Sequence, residues 1–258
     1  MPPPNSFLTT LEVRWFLGER EAGESTLDAP ERWVEQQDAS GPADRRQAGM
    51  GPFEILDGWI HTVDPYGGRE GVPAPEWGEW RTDVYLLLPT AKDMGIKWRE
   101  EQLQIKGRLA SLGPRSFAGS FQGHVESWAK WSYAGMPEAY RTLFESEGEQ
   151  SGERGLMLRS VRKRRCLRKV HIDPRTSSVQ EVPVEAVLHR GVTVELTNLE
   201  LEGRSFCSLA FEAFPDDPPM ISDFTGVVQT FLGQLEGVSL DASNSLSYPA
   251  WLSRLAGQ

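Results

Sequence analysis

Apolar and polar positions alternate along T-L-E-V-R-W-F, residues 10–16. An extended chain sends successive side chains to opposite faces. Thr10, Glu12 and Arg14 therefore share one face, and Leu11, Val13 and Trp15 the other. The period of two returns further on. R-T-D-V-Y-L-L-L-P (81–89) reads as a strand stopped by proline. G-I-K-W-R-E-E-Q-L-Q-I-K-G-R-L (95–109) reads as a hairpin turning near Glu100–Gln102. Further strands are expected within 115–128, over 156–172 and over 182–201 and 205–214, the last two joined by an E-G-R turn. Helical spacing marks 137–148, 221–235 (opening at Ser222 or Asp223) and a short closing segment at 249–256.

Residues 18–80 break the pattern and are rich in Gly, Pro, Asp, Glu and Arg. They read as a long insertion after the first strand. Asp28 and Pro30 mark a short helix at 28–37. The run F-E-I-L-D-G-W-I-H-T-V (53–63) fits a strand pair or a docked arm. Trp33, Trp59, Trp77 and Trp80 indicate that parts of the insertion pack, either over a cavity mouth or as a surface appendage. Seven to nine mostly consecutive strands with few helices predict an α+β architecture in one domain over 1–258. It is an antiparallel barrel or sandwich with helices outside it.

Composition narrows the class. The chain has 258 residues, 39% hydrophobic and 25% charged, which suits a globular protein with a substantial core. No apolar run is long enough to span a bilayer, and the start M-P-P-P-N-S-F lacks a signal-peptide pattern. A soluble, cytoplasmic protein with no membrane partner is expected. A net charge of -10 argues against duplex DNA as a partner. Cys166 and Cys207 form no C-x-x-C pair and read as small apolar fillers. His61, His124, His171 and His189 show no metal spacing.

The charges are grouped by strand. Lys97 and Arg99 flank Trp98, and Lys106 and Arg108 flank Gly107. Seven of the eleven residues from Arg159 to Lys169 are basic. Carboxylates recur at Glu12, Glu195 and Glu212. Solvent-facing strands carry charge too, but they usually mix signs. Like charges on neighbouring strands repel, and a ligand of opposite sign offsets that cost. In a closed barrel one face of every strand is interior. Arg and Lys there suit phosphate oxygens, and Glu suits Mg²⁺.

The ordered set resembles the CYTH superfamily, the triphosphate tunnel metalloenzymes, over residues 7–16 and about 81–252. The family's E-x-E-x-K is similar to T-L-E-V-R here, with Thr10, Glu12 and Arg14. Its D-x-Y-L strand resembles D-V-Y-L with Asp83 and Tyr85. Its R-x-R strand resembles I-K-W-R with Lys97 and Arg99, and its K-G strand L-Q-I-K-G with Lys106. Its K-x-R strand resembles V-R-K-R-R, in the register Lys163/Arg165 or one residue earlier, Arg162/Arg164. Its E-L-D and E-x-E strands resemble segments carrying Glu195 with Thr197 and Ala210 with Glu212. Its S-Y segment resembles Ser247-Tyr248.

The resemblance implies a closed antiparallel barrel of about eight strands with a tunnel through it and surrounding helices. It implies a metal-dependent hydrolase of an inorganic or organic triphosphate. Arg14, Lys97, Arg99, Lys106, Lys163 and Arg165 would grip phosphates. Glu12, Glu195 and Glu212 would be catalytic and hold Mg²⁺ or Mn²⁺. Asp83 and Tyr85 would support the barrel. The departures fall on the acidic side, where Thr10, Thr197 and Ala210 replace carboxylates. A non-catalytic binder of polyphosphate or a phosphorylated ligand is therefore the alternative. A surface for single-stranded nucleic acid on 159–169 is disfavoured, because that stretch contains no aromatic residue to stack on bases.

Overall fold

The structure is a computed structural model; it describes residues 6–21, 50–67, 71–88, 90–134, 141, 142, 144 and 157–257. Among these residues there are nine antiparallel strands: β1 (Ser6–Glu21), β2 (Arg81–Leu87), β3 (Met94–Arg99), β4 (Gln102–Ser116), β5 (Gln122–Ala134), β6 (Met157–Ile172), β7 (Val179–Val182), β8 (Gly191–Leu201) and β9 (Arg204–Phe214). Their order is β2-β3-β4-β5-β1-β9-β8-β6, and β2 also pairs with β6. That last pairing closes an eight-stranded barrel and removes its edges. Strand β7 lies outside the ring against the end of β6.

Local chemistry sets the tight turns. Glu202 and Gly203 both take positive φ between β8 and β9, as a two-residue hairpin turn requires. Between β3 and β4, Glu100 and Glu101 both take positive φ as well, a conformation that costs a side-chain-bearing residue energy. Gly123 has another cause. A Cβ there would lie 2.5 Å from the Trp15 ring, so β5 can run beside that indole only without a side chain.

Among the described residues, helices α1 (Pro52–Thr62), α2 (Pro218–Leu232) and α3 (Tyr248–Ala256) flank the barrel. Segment 53–63, expected as a strand pair or arm, is helical instead. Phe53, Leu56, Trp59 and Ile60 recur at helical spacing and are its buried face, and Pro52 opens it. Helix α2 begins before the expected Ser222 or Asp223. Asp217 caps it by accepting from the Met220 amide, and Pro218 and Pro219 fill the first turn. Of the expected helix 137–148, Arg141, Thr142 and Phe144 are helical. The expected helix at 28–37 lies outside the described residues. Strand β1 also runs past Phe16 to Glu21, so the interruption starts later than residue 18.

The main apolar core lies outside the barrel wall. Leu11, Val13 and Trp15 of β1, with Leu209 and Phe211 of β9 and Val194 and Leu196 of β8, pack under α1 and α2. Phe231 of α2 meets Trp59 and Phe211 edge-on. A second cluster fills one end of the barrel interior. There Phe16 stacks on Trp251 of α3 at 4.5 Å, with Phe206, Leu199 and Tyr85 around them. The rest of the interior is polar. No helix among the described residues is long and apolar enough to cross a membrane.

Candidate anion-binding cavity

Strand parity builds the site. The interior face of β1 carries Thr10, Glu12 and Arg14, the set that alternation placed together. Glu12 stands opposite Glu212, and Arg14 opposite Ala210. On β6 the register Lys163/Arg165 faces inward, next to Arg81 of β2 and Thr197 of β8. Arg162 and Arg164 face outward. Arg162 pairs with Glu200 at 2.7 Å and lies over Trp80, and Arg164 lies over Trp77 and Trp80. Arg168 is buried on the outer side, paired with Glu181 and donating to the carbonyls of Ile60 and Val63. The basic run is thus divided among three environments, not gathered on one surface.

All nine expected site residues line one cavity of about 130 Å³: Glu12, Glu195, Glu212, Arg14, Lys97, Arg99, Lys106, Lys163 and Arg165. Arg81, Lys130, Tyr85, Gln104 and Tyr248 also line it. Eight cations and three carboxylates therefore bound the space. Sequence reasoning missed Arg81, which continues the alternation of the 81–89 strand, and Lys130, which lies beyond the strand expected within 115–128. Arg81 precedes Asp83 by two residues, and Lys130 follows Trp128 by two. It also missed Glu126, which stands opposite Glu12 on β5 and pairs with Arg108 at 2.7 Å.

At the deep end, Asp83 is fully buried and accepts from Lys97 and Lys163, each at 2.7 Å. Arg81 approaches its other oxygen at 3.4 Å. Burial would raise the Asp83 pKa, but Lys163 and Lys97 outweigh it and hold the carboxyl well below its usual range. One carboxylate does not neutralise two ammoniums. Burial lowers Lys163 to about 8 against the attraction of Asp83. Burial and the nearby Lys163 charge hold Lys97 well below its ordinary value. Burial, with Arg165 and Arg99, lowers Arg81. Burial also lowers Lys130 despite the pull of Glu212. Lys163 rests 4.6 Å from the Tyr248 ring centre and donates to the Tyr85 hydroxyl at 3.0 Å.

The carboxylates lie nearer β1. Arg14 donates to Glu12 at 3.1 Å and to Glu195 and Ser208 at 3.0 Å each. Glu195 also receives Arg165 at 2.9 Å and the Thr197 hydroxyl at 3.0 Å. Burial opposes ionisation of Glu195, and Arg14 and Arg165 override it and depress its pKa strongly. Glu12 is likewise kept ionised against burial by Lys106 and Arg14. Lys106 pairs with Glu12 and lies 3.6 Å from Glu212.

The fit to a divalent metal is poor. Among the described residues, no group of three or more His, Cys, Asp or Glu side chains converges as a metal cage. Both oxygens of Glu12 and both of Glu195 face cations of the chain itself. Glu212, the most exposed of the three, is met by Lys106 at a longer 3.6 Å. The cations, by contrast, outnumber their partners.

No protein-family model matches the chain, and no curated protein matches it. Among solved structures it is similar to a conserved hypothetical protein from Pyrococcus furiosus. The identity is 13%, over 92% of this chain and 94% of that one, with a TM-score of 0.36.

Proposed function

We propose that the barrel interior binds a compact, multiply charged phosphate compound, an inorganic or organic triphosphate or a short polyphosphate. The observation that carries this reading is the excess of eight cations lining one cavity over the three carboxylates that line it and the buried Asp83 behind them. Lys97, Lys163 and Arg81 share the single carboxylate of Asp83, and desolvated cations that are only partly neutralised repel one another. Lys97, Lys163, Arg81 and Lys130 all sit below their ordinary pKa values, which is the signature of that cost. A polyanion offsets it at every one of these groups at once. Arg81, Arg99 and Arg165 offer planar donors for phosphate oxygens, and Lys97, Lys163 and Lys130 offer point charges. Arg14 instead braces Glu12 and Glu195.

Hydrolysis of the bound triphosphate is the second reading. The observation in its favour is Glu212, the most exposed of the three cavity carboxylates. The reading meets a difficulty at the metal, because among the described residues no acidic cage is assembled to carry the charge that phosphoryl transfer needs.

Calorimetric titration with tripolyphosphate, ATP and thiamine triphosphate tests both readings, with phosphate release followed in parallel in Mg²⁺, Mn²⁺ or EDTA. Saturable binding in EDTA with no release supports a binding protein. Metal-dependent release that is lost in Glu212→Gln supports a triphosphatase. Absence of any binding sinks both.

A further inference from the structure

Three carboxylates form a row on the inner wall. Glu126 of β5, Glu12 of β1 and Glu212 of β9 occupy directly opposed register positions. Opposed like charges on neighbouring strands destabilise a sheet, so such a row needs a cation. A divalent ion is the common solution in an oxygen-rich site. Here the chain supplies its own. The Lys106 ammonium pairs with Glu12, lies 3.6 Å from Glu212 and sits 5.5 Å from the centre of the Trp128 ring. Arg108 answers Glu126 at 2.7 Å. The partners hold Lys106 from more than one direction, and it is only partly exposed.

We propose that the Lys106 ammonium is the resident cation of the Glu12–Glu212 pair, standing where a divalent metal would otherwise bind, so that the cavity takes its phosphate ligand without metal. The proposal rests on the reading of the cavity as a phosphate site, but its central claim concerns the carboxylates alone. It also accounts for the disagreement between the acidic residues and a metal cage. Glu12 has both oxygens engaged, one with Arg14 and one with Lys106, and presents no free edge to an incoming ion. Removing the ammonium while keeping the length of the side chain frees one oxygen of Glu12 beside the half-exposed Glu212. Two carboxylates without a cation between them then favour a divalent ion.

The test compares wild type with Lys106→Met in metal titrations that contain no phosphate. Mn²⁺ binding is read by the water-proton relaxation of the ion and by melting temperature. Wild type is expected to show no saturable Mn²⁺ site. The variant is expected to gain one, with affinity higher by about a hundredfold or more, because a like charge within about 4 Å of the ion is gone. Adding Glu12→Gln to the variant should abolish the gain. A saturable wild-type site lost in Glu12→Gln overturns the proposal, as does a folded Lys106→Met that binds no Mn²⁺. If Lys106→Met does not fold, Lys106→Gln takes its place, and the wild-type titration still decides by itself. A second arm measures tripolyphosphate binding by wild type in EDTA and in Mg²⁺. Equal affinities are expected, and binding that requires Mg²⁺ overturns metal independence. Failure of wild type to bind tripolyphosphate under either condition removes the phosphate reading and leaves the Mn²⁺ result to judge Lys106 separately.

Discussion

The outer and inner faces of the barrel wall are made by the same strands and obey opposite rules. On β1, Leu11, Val13 and Trp15 face outward into a closed apolar core, while Glu12 and Arg14 face inward among charges. The outer face gains from burial, at about 25 cal/mol for each Å² of apolar surface removed from water. The inner face loses, because ammonium and guanidinium groups leave water without enough partners. Most enzymes and binding proteins place a polar site in a cleft beside the core. Here the wall separates the two, and the parity of a residue on its strand decides which role it plays. On the proposed reading, stability comes chiefly from positions such as Phe211 and phosphate affinity from positions such as Lys130.

The largest expected effect tests the outer face. Phe211 is fully buried against Trp15 and Phe231. Phe211→Ala should cost about 3–5 kcal/mol in a denaturant titration while leaving tripolyphosphate affinity of the folded fraction unchanged. A loss of affinity without a loss of stability would break the division. The next variant sits at the deep end of the cavity. Asp83→Asn leaves the partly buried Lys97 and the buried Lys163 without their carboxylate and should cost about 3 kcal/mol. Its melting temperature should rise more with tripolyphosphate than that of wild type, because the ligand replaces the missing charge.

Lys130→Met should move the two properties in opposite directions. It relieves a crowded, partly buried cation, so the empty protein should gain about 1 kcal/mol or less, while tripolyphosphate affinity falls about tenfold. Stability and affinity falling together would mean that Lys130 is structural. The smallest effects are those of pH. Burial holds Lys163 at about 8 in the folded chain, against 10.5 for an ordinary lysine. Between these values the unfolded chain binds more protons, so the Lys163 contribution to stability improves as pH rises from about 8 toward 10.5 and is least favourable below 8. A polyanion raises the Lys163 pKa again. Binding at pH 8 should therefore take up a fraction of a proton, seen as a dependence of the calorimetric enthalpy on buffer ionisation. Proton release would contradict the placement of Lys163 beside the ligand.

Much of this division was written in the alternation of single strands. The period of two placed Glu12 with Arg14, Lys97 with Arg99 and Glu195 with Thr197 on common faces, and the structure turns each of these faces inward. The same period already contained Arg81, since a strand residue two positions from an interior one is also interior, whereas Lys130 lies past the end of the strand expected within 115–128. Segment 53–63 was misjudged because a short run with aromatic and β-branched residues suits either element. The docking of Phe53, Leu56 and Ile60 on the barrel settled it as a helix.

The choice between Lys163/Arg165 and Arg162/Arg164 could not be made from the chain. Every second position from Arg162 to Arg165 is basic in either register. Pairing with β2 and β8 decided it by setting Lys163 beside Arg81 and Arg165 beside Thr197, and by giving Arg162 and Arg164 the outer faces of Trp80 and Trp77. The same holds for the carboxylates. Sequence by itself determined that acidic and basic residues would share inner faces, because alternation is a property of one strand. Only the closed barrel decided which cation reaches which carboxylate, because Lys106 meets Glu12 and Glu212 across strands far apart in the chain.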